Sequence, residues 1–322
     1  MIAIVVSLLA SLLLLFWSAE RFIDGSCALA RSLGVSPLVI GMVVVGFGTS
    51  APEMAVSGLA ALDSNPGIAF GNIFGSNIAN IGLILGVVAC IAPLQVASGV
   101  LRREMPMLLA ASFLALVLLW DGQLSRADAG LFALLFTALM VWSWREGKAS
   151  PDDALSGEVS REIADTSMSL PRALIWTGVG LLVLVLVASS RVLVWSATEI
   201  ARHFGVSELI IGLTIVAVGT SLPELASSLV AARKNEHDIA LGNVIGSNLF
   251  NTLAITGLAG LIRPLPVDAS LRMRDLPVTL LFTLLLFVFC VTIKGQANIG
   301  RGKGAVLLLA YIAYTGTLLI PH

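Results

Sequence analysis

Apolar residues run along this chain in long blocks with little polar interruption. Residues 1–19, 105–120, 129–144, 173–190, 239–262, 276–293 and 304–322 contain no Asp, Glu, Lys or Arg. A helix needs roughly 20 apolar residues to cross a bilayer, with a working range of about 17–25. Two further runs, 32–52 and 209–223, end at solitary glutamates and continue apolar beyond them, and residues 64–101 supply one more span and its exit. The pattern predicts ten transmembrane helices. The alternating segments of about ten residues that mark a membrane barrel are absent.

Composition agrees: 57% of the 322 residues are hydrophobic and only 12% charged, against roughly 25% charged in soluble domains. The net charge of −1 says nothing about partners; no nucleic-acid partner is expected, and no obligate protein partner is evident. No basic residue precedes the first apolar run and Arg21 follows it, so it reads as a retained helix with its N-terminus outside. The loops agree. With that orientation thirteen Lys and Arg residues fall inside, among them Arg102, Arg103, Arg145, Lys148, Arg233 and Lys234, and six outside, as the positive-inside rule requires. Cys27, Cys90 and Cys290 form no pair or metal spacing and read as small apolar residues.

Shifted by 171 residues, the chain matches itself. "GVSPLVIGMVVVGFGTSAPE" lies on "GVSELIIGLTIVAVGTSLPE", and "IAFGNIFGSNIAN" on "IALGNVIGSNLFN". Nearly half the positions of 34–83 and 205–254 are identical without a gap, and the register carries on to Pro93–Leu94 with Pro264–Leu265 and to "REMP" with "RDLP". Each copy holds five spans, and an odd number turns the second copy upside down in the membrane. That is the inverted-repeat plan of secondary transporters, whose sites lie near the midplane where discontinuous helices meet. The expected fold is all-α and integral to the membrane, with helices 2, 3, 7 and 8 broken. Residues 1–144 form the first repeat, 145–172 a polar cytoplasmic linker and 173–322 the second repeat.

In "GFGTSAPE" the glycines tolerate unusual backbone angles, and Pro52 removes a donor and crowds the preceding turn. The helix should open near Thr49 and Ser50, turning freed carbonyls, two hydroxyls and the Glu53 carboxylate toward a ligand. "GTSLPE" repeats this with Thr220, Ser221 and Glu224. The set is all oxygen, hard and anionic, which suits Ca²⁺ or Na⁺ and not zinc. The second motif, "GNIFGSNIANIG", sets Asn72, Ser76 and Asn80 on one helix face, beside Asn77. Its copy supplies Asn243, Ser247, Asn248 and Asn251. Such a polar stripe either glues helices together or walls an ion path. For any one Ser, Thr or Asn the packing role is the commoner, and Gly71-x-x-x-Gly75 reads as a close-packing motif. The glutamates differ. A carboxylate at bilayer depth costs at least a few kcal/mol, and no basic residue lies in 32–101 or 203–232 to pair with either. That favours cation binding. Asp63 and Glu236 flank helix ends and read as solvated.

On these residues, "GTSAPE" with "GNIFGSNIAN" and "GTSLPE" with "GNVIGSNLFN", the chain resembles the cation/calcium exchanger superfamily, specifically prokaryotic sodium/calcium antiporters. The resemblance covers essentially the whole chain. It implies a central Ca²⁺ site of Glu53 and Glu224 with the carbonyls of Thr49 and Thr220. It implies flanking Na⁺ sites from Ser50, Ser76, Ser221, Ser247 and the carbonyls of Gly46 and Ala217, with Asn80 and Asn251 lining the centre. Some members carry an aspartate in place of one central asparagine; here both are Asn, so the centre holds two carboxylates, enough to neutralise one Ca²⁺ or two Na⁺. The connector is too short for the calcium-sensing domains of animal relatives.

The function expected is Na⁺-driven Ca²⁺ antiport across a prokaryotic plasma membrane, both termini outside, with no catalytic residue and no cofactor beyond the transported ions. H⁺/Ca²⁺ exchange on the same fold is the nearest alternative, a buried glutamate carrying the proton. A membrane hydrolase pairing Ser50 with Glu53 lacks a nearby His or Lys base and leaves the duplication unexplained. A passive channel fits inverted repeats with broken helices less well than a carrier.

Overall fold

The computed structural model describes residues 2–32, 49–96, 99–149, 172–290 and 297–318. They are almost wholly helical. In chain order the helices are α1 (Ile2–Ser32), α2 (Ala51–Leu62), α3 (Pro66–Ile91), α4 (Gly99–Leu118), α5 (Arg126–Ala149) and α6 (Arg172–Phe204). There follow α7 (Glu208–Thr220), α8 (Leu222–Arg233), α9 (His237–Ile262), α10 (Leu271–Cys290) and α11 (Arg301–Leu318). Among the described residues five helices are long and apolar enough to cross a membrane, and α7 with α8, bent by 43°, makes a sixth. Helices α1, α2, α5 and α11 lie where the other predicted spans fall, and 33–48, the first half of the second span, is outside the described residues. Helix α5 runs on to Ala149, past the expected boundary at 144; residues 150–171 of the connector are also outside the described set.

The duplication reappears in the backbone. Ser50 and Ser221 stand at the starts of α2 and α8 with nearly the same angles, φ −88°, ψ 8° and φ −86°, ψ 8°. A proline follows two residues later in each, so helical bonding restarts there. Ser64 and Asn235, again 171 apart, both adopt left-handed φ, 59° and 62°, in the turns into α3 and α9. Asn65 caps α3 by accepting from the Ile68 N–H at 3.0 Å, and Pro66 follows at a position where no donor is needed. Two small antiparallel sheets tie loops of one half to loops of the other: β1 (Leu94–Val96) pairs with β4 (Ala297–Ile299), and β2 (Gln123–Leu124) with β3 (Leu265–Pro266).

One expectation needs correction. The third and eighth spans are not broken. Helices α3 and α9 pass straight through, each with a wide π-helical turn, at Asn80–Leu85 and Phe250–Ile255. Past their first turns neither holds a proline, and their interior glycines lower helix propensity without removing a hydrogen bond. A π turn absorbs one extra residue while keeping the helix continuous, and it is common at functional sites. The break exists at the Pro-bearing motif of α7–α8.

Helices α3 and α9 form the centre, with 83% and 72% of their apolar windows buried. Helix α1 packs mainly along α6. Leu13, Leu134, Leu184 and Leu309 are exposed on the outer helices, a surface that faces hydrocarbon in a bilayer. Asp63 is partly exposed as expected, but it pairs with Arg191 of α6 at 2.7 Å. Glu236 is half-buried, with one carboxylate oxygen shielded from water.

The two halves meet on a seam without side chains. A Cβ on Gly71 would sit 2.7 Å from Gly212 Cα, and one on Gly75 would sit 2.7 Å from Leu213 Cα. This close backbone approach is how membrane helices gain packing where lipid offers no hydrophobic drive. It confirms the packing role read from Gly71-x-x-x-Gly75. Gly71→Ala or Gly75→Ala should destabilise the fold by about 1–3 kcal/mol, the range for overpacking, seen as a lower melting temperature in detergent. Gly130→Ala in α5, where nothing described lies within 4 Å, should leave it unchanged or slightly raised.

Candidate functional site

Glu53 and Glu224 sit in the first turns of α2 and α8. The prolines dictate this: a helix that restarts at Ser50 or Ser221 places the glutamate near its positive N-terminal end, where a carboxylate is favoured. Both glutamates are 0% exposed. Among the described ion pairs neither takes part, and among the described residues no third His, Cys or acidic side chain joins them to form a metal-holding group.

What holds them is the opposite repeat. Ser221 Oγ donates to Glu53 Oε1 at 3.0 Å, and Ser50 Oγ reaches Glu224 Oε1 at a longer 3.5 Å. Ser247 Oγ adds a second bond to Glu224 Oε1 at 3.3 Å. Ser50 thus faces the other half's carboxylate, which speaks against a Ser50–Glu53 hydrolytic pair. A second crosswise set surrounds the first. Asn72 Nδ2 donates to the Glu53 carbonyl (3.1 Å) and Ser57 Oγ (2.8 Å), while its Oδ1 accepts from Thr220 Oγ1 (2.9 Å). Asn243 does the same for the Glu224 carbonyl (3.1 Å), Ser228 Oγ (2.9 Å) and, more loosely, Thr49 Oγ1 (3.4 Å). Each asparagine clasps its own repeat's glutamate helix to the other repeat's threonine.

Between α3 and α9 runs a third set. Asn80 Nδ2 donates to Asn248 Oδ1 (3.0 Å), Asn248 Nδ2 to the Asn77 carbonyl (3.2 Å), and Asn77 Nδ2 to Thr252 Oγ1 (2.8 Å). After these bonds, Glu53 Oε2, Glu224 Oε2, Asn77 Oδ1, Asn80 Oδ1 and both polar atoms of Asn251 stay buried without a partner among the described residues. An unsatisfied buried polar group costs about 1–3 kcal/mol, more if charged. The orphaned oxygens are all hard donors, and two belong to carboxylates. A small hard cation satisfies such a set.

Ten of the twelve residues singled out from the sequence are buried around this point through their side chains: Glu53, Glu224, Thr49, Thr220, Ser50, Ser221, Ser76, Ser247, Asn80 and Asn251. The Ala217 carbonyl is present but already accepts from Ser221 N (3.1 Å), Thr220 Oγ1 (3.2 Å) and Ser76 Oγ (3.5 Å). Gly46 lies outside the described residues. Sequence reasoning missed Ser57 and Ser228, although a signal existed: each follows its glutamate by four, on the same face, and the two match in the duplication. It also missed Thr252, where the repeats differ (Ile81 stands opposite) and no signal was available. A cavity of about 710 Å³ lined by Asp63, Asn65, Arg191, Trp195 and Glu208 touches neither buried glutamate.

The fold and site define a multi-pass membrane protein with a buried all-oxygen centre. Comparison with known proteins gives the family. The family model described as "Sodium/calcium exchanger protein" matches residues 3–145 and 174–320, and the chain belongs to that family. It is 41% identical to the inner membrane protein YrbG of Escherichia coli, over 97% of this chain and 95% of that one. It is 34% identical to the sodium/calcium exchanger MaX1 of Methanosarcina acetivorans, over 95% and 96%. Its fold matches the solved sodium-calcium exchanger NCX_Mj, soaked with Na⁺ and Sr²⁺, at a TM-score of 0.67 and 32% identity, covering 99% and 100% of the two chains.

The clasp carries a stability prediction. Asn72→Ala removes three buried hydrogen bonds and leaves Thr220 Oγ1 and Ser57 Oγ with only their longer bonds to the Ala217 and Ala69 carbonyls, at 3.2 and 3.4 Å. Thermal unfolding in detergent should show a loss of about 1–3 kcal/mol. Asn243→Ala should lose less, because Asn243 is only half-buried and its bond from Thr49 is longer.

Proposed function

We propose that the chain exchanges Ca²⁺ for Na⁺ across a prokaryotic plasma membrane by alternating access, with Glu53 and Glu224 as the central cation ligands. One observation carries this reading: two fully buried carboxylates, each with one oxygen held by the opposite repeat and the other, Oε2, without a partner. Two negative charges balance one Ca²⁺ or two Na⁺. Both cargoes then compete for one charge-neutral cage, and competition at a single site exposed in turn to each side is exchange. Asn80 and Asn251 supply Oδ1 atoms to the centre. Ser50, Ser76, Ser221 and Ser247 offer the neutral oxygens of flanking Na⁺ sites, with the Gly46 and Ala217 carbonyls, and the Thr49 and Thr220 carbonyls complete the Ca²⁺ site.

The architecture that goes with this is ten spans in two inverted repeats of five. The reciprocal bonds support it, since Ser221 reaches Glu53 as Ser50 reaches Glu224, and Thr220 reaches Asn72 as Thr49 reaches Asn243. Such exchange of partners is what a two-fold relation between the halves produces. With five spans per half the axis lies in the membrane plane. The connector is then cytoplasmic and both termini are outside.

Ca²⁺ uptake into proteoliposomes under an imposed Na⁺ gradient tests the function, and the same uptake under a H⁺ gradient alone would assign proton coupling in its place. Glu53→Gln and Glu224→Gln keep shape but each removes one of two charges. Both should reduce Ca²⁺ flux to background in protein that still inserts and folds; substantial flux in either would reject the central assignment. For topology, cysteines introduced at Ser156 and next to Met1 should react with an impermeant reagent from opposite faces of the membrane. Reaction from one face would refute the inverted arrangement.

A further inference from the structure

The duplication makes Asn80 and Asn251 equivalent in sequence, yet they are not equivalent in the structure. Asn80 is pinned: its Nδ2 donates to Asn248 Oδ1 at 3.0 Å, leaving only Oδ1 free. The repeat-related partner for Asn251 is Asn77, since Asn77 stands to Asn251 as Asn248 stands to Asn80. Asn77 does not take that role. The acceptor that role requires, Asn77 Oδ1, is unpartnered among the described residues. Asn77 Nδ2 instead donates to Thr252 Oγ1 at 2.8 Å, which fixes how the amide is turned. Asn251, 0% exposed, has neither polar atom bonded among the described residues. The hydroxyl that Asn77 uses has no counterpart in the other copy. Thr252 aligns with Ile81, which has no hydroxyl.

We propose that Thr252 is a positioning residue that sets divalent-cation selectivity: by holding the Asn77 amide it leaves Asn251 an unclamped ligand opposite a clamped Asn80. A ligand amide fixed by a second hydrogen bond presents its oxygen at one distance and discriminates by ionic size. An unclamped amide turns about its side-chain torsions and follows the ion. The site therefore has one rigid and one adaptable oxygen donor, and it tolerates ions larger than Ca²⁺. Partners one shell out from a ligand typically change metal affinity by about 10–100-fold when removed, so the effect is measurable. Thr252 itself touches no ion; it acts through Asn77. The inference rests on the reading of Asn80 and Asn251 as part of the cation centre.

The experiment is calorimetric titration of purified, detergent-solubilised protein with Ca²⁺ and with Ba²⁺ in Na⁺-free buffer. Thr252→Val keeps shape and removes the hydroxyl that holds Asn77 Nδ2, freeing the amide to turn its Oδ1 toward Asn251 Nδ2. Ba²⁺ affinity should fall relative to Ca²⁺ by about tenfold, and Thr252→Ser should restore the parent ratio. In an Asn77→Ala background the same Thr252→Val change should no longer move the ratio, because no amide remains to be released; such non-additivity is the mark of residues acting through one contact. A parent-like Ba²⁺/Ca²⁺ ratio in Thr252→Val, or an equal shift with and without Asn77, overturns the proposal. A parent protein that binds neither ion would instead overturn the site assignment on which it rests.

Discussion

Two fully buried carboxylates, joined by no basic side chain among the described ion pairs, are the constraint around which this protein is arranged. Neither Glu53 nor Glu224 can be moved to the surface, because each stands in the first turn of a helix that a proline forces to begin there. Among the described ion pairs neither is neutralised by Lys or Arg. Each shares one oxygen with hydroxyls and leaves the other without a protein partner. Hydroxyls stabilise a carboxylate without cancelling its charge, so the attraction for a cation persists. An arginine in the same place would make a sound structural ion pair and extinguish that attraction.

Holding two like charges near one another needs a stiff frame, and the frame is assembled from both halves of the chain. The glycine seam between α3 and α7 lets backbones approach to a distance that any Cβ would forbid. That approach brings Thr220 and Ser221 to Asn72 and Glu53. The clasp asparagines then lock each glutamate helix to the opposite repeat. Lipid gives little drive for helix association, so packing of small residues and buried hydrogen bonds carry that load. The same contacts that hold the halves together also shape the site.

A duplicated sequence does not guarantee a symmetric site. The crosswise bonds join the two copies reciprocally, but their lengths differ: 3.0 Å against 3.5 Å at the glutamates, 2.9 Å against 3.4 Å at the clasps. At Asn80 and Asn251 the correspondence is absent: Asn80 is bonded to Asn248 while Asn77 bonds Thr252, a hydroxyl that Ile81 does not offer. On the proposed function, ions of different charge share one cage. Inequivalent donors allow that more readily than a perfectly symmetric set, in which every ligand would have the same reach and stiffness.

The membrane class, the duplication, the glutamates and the hydroxyl and amide residues around them were legible in the sequence. Hydropathy blocks report burial in lipid directly, and an uncompensated carboxylate in such a block has few explanations. The Gly71/Gly75 seam was legible for the same reason, since spacing on one helix is a local property. Three things were decided only by the tertiary structure. Proline and glycine suggested four broken spans, but α3 and α9 absorb their irregularity in π turns, because a glycine interior to a helix keeps its N–H and only proline removes one. The pairing of Ser50 with Glu224 and of Ser221 with Glu53 could not be read from residues three apart in sequence, since hydrogen bonds depend on which half faces which. Thr252 was invisible because a repeat advertises what its copies share, and this residue acts through what they do not.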